Sequence, residues 1–384
     1  MLLLDGAARP GAKILVSGGS RCNVTNVSVA ESDFSGGRAT IIRRVLRGFS
    51  SPETVAWFAS LGVPLHEEAH GKLFPDSNRS RDVLDALLNE LHAAGATLQA
   101  GTRVTGISRR ADQLEIETTS GPIDAAVVVM ATGGQSLPKT GSDGGGLEIA
   151  SVLGHTIVPT TPSLVPLLLP ADELLHSALS GVSLDVEISI WLDGRVSRRI
   201  RGAMLWTHFG VSGPAVLDAS RHWLRAQLDG HEARLTVNYS PGDSFESLDA
   251  AWSARAGSRP RATVHAVSSE TIPSSVAAAI LTTLGIDPST ALTNFARRDR
   301  RRLVHALVEW PLPVSGSRGY NYAEATAGGV ALDEIDPGTM ASRRCDGLYL
   351  IGEMLDVDGR IGGFNFQWAW SSARVAARAL SRRS

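Results

Sequence analysis

Hydrophobic and polar positions follow two textures along this 384-residue chain. Up to about residue 159, and again from about 323, short continuous apolar runs and helical spacings are separated by glycine-rich turns. Leu2-Leu3-Leu4 followed by Asp5 predicts a short buried parallel strand that ends in an acid. A helix is expected from Pro52, with Ser51 as N-cap and Gly62 just past its end; a second spans 80–94 and is stopped by Gly95. Residues 65–74 read as a hairpin, and 97–99, 103–109 and 114–118 as strands. The run 125–130 is apolar throughout, the pattern of a strand buried on both faces.

Polar and apolar residues begin to alternate beyond Pro159, Pro162 and Pro166. Residues 182–191 lead through Asp193-Gly194 into a second strand reaching Trp206, an antiparallel hairpin, and 235–239 form a further strand. From 244 to 309 the spacing is helical. The expected organisation is an α/β nucleotide-binding domain made from both ends of the chain, 1–159 and 323–384. An inserted domain spans 160–322, β-rich over 160–240 and helical over 241–312.

The net charge of −2 gives no reason to expect a nucleic acid or an anionic membrane as partner. No run approaches 18 apolar residues, and the N-terminus lacks a basic stretch followed by a long apolar core. A cytoplasmic enzyme acting on a small molecule is therefore expected, and its helical insert is a candidate homodimer surface. Cys22 and Cys345 are far apart and neither belongs to a CxxC pair, which argues against a disulfide framework, a zinc ribbon or a dithiol centre. The basic residues are 34 Arg and only three Lys, at 13, 72 and 139. A compact ammonium is not interchangeable with a guanidinium near a phosphate, which singles out Lys13 and Lys139. The arginines of 297–302 are expected to coat a solvated helix face.

Four places carry candidate chemistry. Asp5, at a strand end, has the position of an acid that accepts ribose hydroxyls in dinucleotide-binding units. In Lys13 through Asn26, Gly18 and Gly19 allow close backbone approach; Ser17, Arg21, Asn23 and Thr25 offer polar groups, and Lys13 a charge for phosphate. Cys22 reads as a small buried hydrophobe. The run 125–130 ends in Ala131-Thr132-Gly133-Gly134, where a cofactor can pass over the carboxyl ends of parallel strands; Ser142 or Asp143 is expected to cap the helix that follows. Near the C-terminus, Leu350-Ile351-Gly352-Glu353 leads through Asp356 to Gly362-Gly363-Phe364-Asn365 and a helix. A carboxylate then lies at a strand end beside bare N–H groups at a helix N-terminus, which suits an anionic ligand. His208, in Thr207-His208-Phe209-Gly210, is a candidate acid–base group without an acidic neighbour in sequence. Ser212 does not complete a GxSxG elbow.

Together the blocks AKILVSGGSRCNVTN, KLFPDSNRSRDVLDAL, ATGGQSLPKTGSDGGG, LWTHFGVSGPAVL, ATAGGVALDEI and GLYLIGEMLDVDGRIGGFNFQWAWSSA resemble the aminoacetone-oxidase-type (BaiN/YhiN-like) FAD-binding flavoprotein family. The resemblance implies a glutathione-reductase-like FAD-binding Rossmann domain, α/β in class, with an inserted β-barrel-like plus helical domain. It implies an FAD-dependent oxidoreductase moving hydride between flavin N5 and a nicotinamide or small organic substrate, by amine oxidation or enone reduction. NAD(P)H is the candidate transient donor. Carried over residue by residue, Asp5 would hold the adenosine ribose and Val104 would lie by the adenine. Glu353 would bond the ribityl chain and Asp356 would orient the adjoining turn. Gly362, Gly363, Phe364 and Asn365 would present N–H groups to the N1–C2 carbonyl edge of the flavin, while Gln367 and Trp368 would pack the helix. Members of the family begin with a strand and GxGxxG turn-helix of about 25–35 residues that would precede Met1. The domain is thus expected to be N-terminally truncated, with poor folding or FAD binding, the start having been assigned too far downstream. The rival expectation is a non-catalytic remnant serving as a folding or interaction module.

Overall fold

The computed structural model describes residues 1–170, 175 and 178–382. They form two compact units, one made of 1–163 with 320–384 and the other of 164–319.

In the first unit, Leu2–Asp5 pairs in parallel with Thr97–Ala100, and Val128–Met130 in parallel with Leu348–Leu350. Ile157–Ser163 runs antiparallel to Ala325–Val330, so both stretches of chain build this unit. Its largest core packs Met130, Val330, Leu348, Leu350 and Trp368 together. A smaller core holds Cys22, Val24, Phe58 and Val83. The helix Phe364–Leu380 buries Phe364, Gln367, Trp368, Ser371 and Val375, the spacing of one helical face.

Several expectations are corrected here. Leu2 and Leu3 are 44% and 41% exposed, and Val129 is 40% exposed, so neither apolar run is buried on both faces. Each of these strands pairs along one edge only among the described residues, and no neighbour covers the other. The run 125–130 is also broken: Ile123–Ala125 belongs to an antiparallel sheet with Gln113–Thr118, and Val128–Met130 joins the parallel pair. The first long helix is Ser51–Ser60, capped by Ser50 rather than Ser51. The reason is the spacing to Glu53, whose carboxylate accepts the Ser50 N–H at 2.7 Å in a capping box. The helix after Ala131-Thr132-Gly133 begins at Gly145 with Gly144 as N-cap, and Asp143 Oδ1 accepts the Gly145 N–H at 3.1 Å.

A buried polar network lies within the same unit. Glu334 accepts from the Thr156 N–H and hydroxyl, each at 3.0 Å, and from Arg344 at 2.7 Å. His155 Nδ1 lies 3.0 Å from Glu334 and Nε2 2.8 Å from the Ser342 hydroxyl. Burial holds the imidazole below its ordinary value, against the pull of Glu334. The ring is therefore neutral near pH 7, donating from Nδ1 and accepting from Ser342: a hydrogen bond rather than an ion pair.

The second unit is built on a seven-stranded antiparallel sheet. Its order is Trp310–Leu312, Ala233–Asn238, Ser183–Leu192, Arg195–Thr207, Gly210–Ser212, Leu167–Leu168, Gly316–Ser317. The two edge strands are successive in sequence, joined by residues 313–315, so the sheet curls back on itself. Asp193 and Gly194 both take positive φ, 49° and 80°, as a tight hairpin turn requires. Trp310–Leu312 corrects the helical expectation for 241–312, because the last three residues are an edge strand on Ala233–Asn238. Helix Arg297–Val308 buries Leu303, Val304 and Leu307 and leaves Arg297, Arg298 and Arg301 exposed. Trp206, Trp223, Trp252 and Trp310 share the core of this unit. Among the described residues no helix is long and apolar enough to cross a membrane.

Candidate functional site

The strands Val128–Met130 and Leu348–Leu350 run in parallel and end side by side, with the Ile351 N–H on Met130 O at 3.0 Å. Their carboxyl ends deliver Ala131, Thr132, Gly133, Gly352 and Glu353 to one edge, where open α/β sheets bind ligands. Gly352 has φ 72° with open space where a Cβ would stand. Gly133 instead faces the Ser142 side chain, and Thr132 packs against Gly146, so these two mainly let the turn approach the next helix.

Glu353 is the centre of a polar cluster drawn from four separate segments. Its Oε1 accepts from the Ser136 hydroxyl at 2.7 Å and the Thr326 N–H at 3.0 Å, and its Oε2 pairs with Lys13 Nζ. Lys13 also donates to Ser136 Oγ at 2.6 Å. Thr326 Oγ1 in turn accepts the N–H groups of Gln135 and Ser136, at 2.8 and 3.0 Å. Lys13 and Glu353 were both singled out in the sequence, but for different parts of a ligand; the structure pairs them. Ser136 and Thr326 were not singled out. Both lie in blocks carrying the family resemblance, the one signal that pointed toward them.

The segment 17–26 meets the start of the C-terminal helix. Lys13 lies in helical backbone that breaks at Ser17, after which Gly18, Gly19, Ser20 and Cys22 take φ between 54° and 68°. Left-handed Ser20 and Cys22 cost about 1–2 kcal/mol each, strain that a packed fold retains at special sites. Asn26 Nδ2 donates to Gly362 O at 3.1 Å, and the Thr25 hydroxyl to Gln367 Oε1 at 2.6 Å. Asn23 is 9% exposed, and its Oδ1 is buried without a hydrogen-bond partner. Burial pushes the Cys22 thiol up to about 11, which makes it a packing group rather than a nucleophile.

Other predicted residues are committed to the protein itself. Arg21 bonds both Glu68 oxygens, at 2.5 and 3.2 Å, and stacks over Phe74 at 4.1 Å. Ser17 Oγ donates to Ile14 O at 2.8 Å. Asp356 uses its backbone to hold Val330 O and the Gly37 N–H. Asp5 Oδ1 accepts the Ala7 N–H at 2.8 Å and Asp5 O the Thr102 N–H at 3.0 Å, whereas Val104 starts a strand that pairs with Gln113–Thr118 in a separate sheet. Gln367 and Trp368 pack as expected: Gln367 bonds Phe49 O at 2.9 Å, and the Trp368 indole bonds Gly352 O at 3.1 Å. Lys139 sits in a short 3₁₀ turn. His208 belongs to the second unit, on an exposed turn against Phe209.

The turn before the helix is stapled by Asn365. Its Oδ1 accepts the Gly359 N–H at 2.8 Å and its Nδ2 donates to Gly359 O at 2.9 Å. With Gly363 as N-cap, the N–H groups of Phe364 and Asn365 have no acceptor within the helix and carry its positive end. Asn365→Ala is expected to cost about 1–3 kcal/mol, since both Gly359 groups lose their partner. Urea unfolding measures this; a loss below a few tenths of a kcal/mol would show that the turn holds without the staple.

The model of the HI0933-like protein Rossmann domain matches residues 1–379. A "3-dehydro-bile acid delta(4,6)-reductase" from Clostridium scindens is 31% identical over 383 residues, 100% of this chain and 93% of the relative. A "Ribosomal RNA dihydrouridine synthase" from Escherichia coli is 32% identical over 382 residues, 99% of this chain and 92% of the relative. A solved quinol-fumarate reductase with menaquinol is 13% identical, with a TM-score of 0.47, over 100% of this chain and 66% of that one. The chain belongs to the HI0933-like Rossmann family of FAD-dependent oxidoreductases.

Proposed function

We propose that this protein is an FAD-dependent reductase that adds hydride to a carbon–carbon double bond conjugated with a carbonyl in a small molecule. The observation that carries the reading is the Glu353 cluster, set at parallel strand ends beside segments that lead into a glycine-capped helix N-terminus. The residues fit a flavin dinucleotide. Asn23 Oδ1 is a buried acceptor with no partner among the described residues, suited to an N–H on a flavin edge. The N–H groups at 362–365, leading into the helix, suit its C2 carbonyl, Glu353 the ribityl hydroxyls, and the second oxygen of Asp5 the ribose. Ala131 and Gly352 leave backbone exposed along the crevice. When bound, FAD supplies reversible hydride transfer at N5.

The protein's own groups prepare that chemistry. The positive helix end would stabilise negative charge that develops on a flavin edge held against it. Lys13 neutralises Glu353, so the carboxylate does not oppose that charge. The substrate class draws support from the names of the two relatives. A 3-oxo steroid with 4,6 double bonds and the pyrimidine ring of uridine share one reactive unit, a double bond conjugated to a carbonyl, and both names describe its reduction. The near-neutral charge of this chain favours the small molecule. A reduced nicotinamide is the proposed donor.

The test uses the purified protein loaded with FAD. Its absorbance should bleach anaerobically with NADPH or NADH, or with dithionite, and recover on adding a 4-en-3-one steroid or cyclohexenone. Recovery only with uridine-containing RNA would move the substrate to nucleic acid. Recovery with neither overturns the reading, and FAD that binds but resists even dithionite would favour the rival interaction module.

A further inference from the structure

We propose that the first unit carries a second ligand site, a cavity beside the helix Ser51–Ser60 that takes a small organic anion with an apolar body. The cavity has a volume of about 540 Å³. It is lined by the loop 27–31, the end of the helix Ala39–Leu46 and the start of Ser51–Ser60. That volume lies in the range of small-molecule sites. None of the residues assigned above to the flavin lines it, so the site stands apart from the reductase reading.

The floor and the rim of the cavity differ in chemistry. Leu46, Ser51 and Gln367 are buried at the floor. Their polar groups are already engaged within the protein. Ser51 Oγ donates to Asn26 O, Gln367 Nε2 donates to Phe49 O at 2.9 Å, and Gln367 Oε1 accepts from the Thr25 hydroxyl at 2.6 Å. A ligand therefore finds packing at that depth rather than new hydrogen bonds. Val29 and Pro52 extend the apolar wall, and Val27 beside them is 45% exposed. Covering this surface favours a hydrocarbon or aromatic body.

The rim is cationic. Arg43 is paired with Glu31, its Nε 2.8 Å from the carboxylate. Arg47 also faces Glu31 but makes no side-chain hydrogen bond or ion pair of its own among the described residues. Beyond Ser50, Glu53 is matched by Arg378 at 3.8 Å, and Arg374 lies over the Phe49 ring at 5.9 Å. In this neighbourhood four guanidiniums meet two carboxylates. The helix Ser51–Ser60 adds its positive end, with the Ser51 N–H in its first turn. One carboxylate or phosphate group on the ligand answers that excess, with Arg47 as its partner. A neutral ligand would leave the rim unanswered, and a polyanion would leave the apolar floor unused.

Isothermal titration calorimetry on the full chain, with and without FAD, tests the site with 4-phenylbutyrate as probe. The acid should bind in both forms. Its neutral amide has the same body and acetate the same charge, and each should bind about 10-fold or more weakly. 4-Phenylbutyl phosphate should also bind, and the tighter of the two anions tells whether the rim prefers a carboxylate or a phosphate. Two substitutions at exposed positions locate the site. Arg47→Glu should weaken binding of the acid by about 10-fold or more and leave the amide unchanged. Ala30→Trp, which puts an indole in the cavity, should abolish binding of both. Both variants should keep the wild-type urea midpoint. An acid that does not bind, that binds both variants as tightly as wild type, or that FAD displaces overturns the site. Equal affinity for acid and amide overturns the ligand class. An RNA oligonucleotide that binds through Arg47 where neither small anion does would replace the site with a polyanion surface.

Discussion

Replacing Glu334 with alanine is expected to lower the stability of the protein by about 3 kcal/mol near pH 7. The carboxylate is 8% exposed and is the shared acceptor for Thr156, His155 and Arg344. Without it the buried His155 Nδ1 loses its partner, while the exposed Thr156 groups and Arg344 guanidinium turn to water. Burial on its own would push Glu334 up, but bonds from Arg344, the Thr156 N–H and hydroxyl, and His155 outweigh it and hold the carboxyl at about 2. Relative to the ordinary value of 4.5, that depression corresponds to about 3 kcal/mol. The sign follows from linkage: a depressed carboxyl stabilises fully above its unfolded value and loses that stabilisation as pH falls toward the folded one. Wild type should therefore lose about 3 kcal/mol through this group between pH 5 and pH 2. His155, also held low, adds destabilisation in the same direction as pH falls below the ordinary imidazole range. Urea unfolding of both proteins at pH 7, 5 and 3 measures the effect. A Glu334→Ala loss below about 1 kcal/mol, or a difference from wild type that does not shrink toward pH 3, would refute the account.

Local chemistry was legible in the sequence and its long-range closure was not. The turn from Gly352 to Asn365 could be read because a strand end, glycines and a helix start are written consecutively. The pairing of Lys13 with Glu353 could not, since 340 residues separate them and each reads equally well as a ligand contact. Arg21 was legible as a polar group in a glycine loop, but Glu68 and the Phe74 ring take it first. His155 and Glu334, 179 residues apart, carry no local sign of one another. The apolar runs at Leu2 and 125–130 show a related limit: periodicity reports that a residue is apolar, not that something covers it. Trp310–Leu312 was absorbed into a helical expectation because three residues on a sheet edge are too short for a period to appear.

Gly363→Ala is the second substitution with a large expected effect, because two separate demands fall on that residue. As N-cap of the helix Phe364–Leu380 it holds φ at 91°, where an L side chain is strained by about 1–2 kcal/mol. A Cβ there would also stand 2.5 Å from Thr25 O and 2.6 Å from Thr25 C, both backbone atoms. Neither side can yield easily. Thr25 is fixed through Gln367 at 2.6 Å, and Asn26 through Gly362 at 3.1 Å, so relief of the clash must move the first turn of the helix. Overpacking of this kind adds about 1–3 kcal/mol. Gly62→Ala is the matched comparison, with φ 78° and open space around the new carbon, and should show the backbone term alone. Gly363→Ala is accordingly expected to destabilise by at least about 1 kcal/mol more than Gly62→Ala in urea unfolding. It should also weaken FAD binding, read by flavin fluorescence, since the N–H groups at 362–365 are displaced together, while Gly62→Ala leaves FAD affinity unchanged. Equal losses in the two variants would mean that the Thr25 contact does not set the helix end. A destabilised Gly363→Ala that still binds FAD normally would separate the helix end from the flavin site.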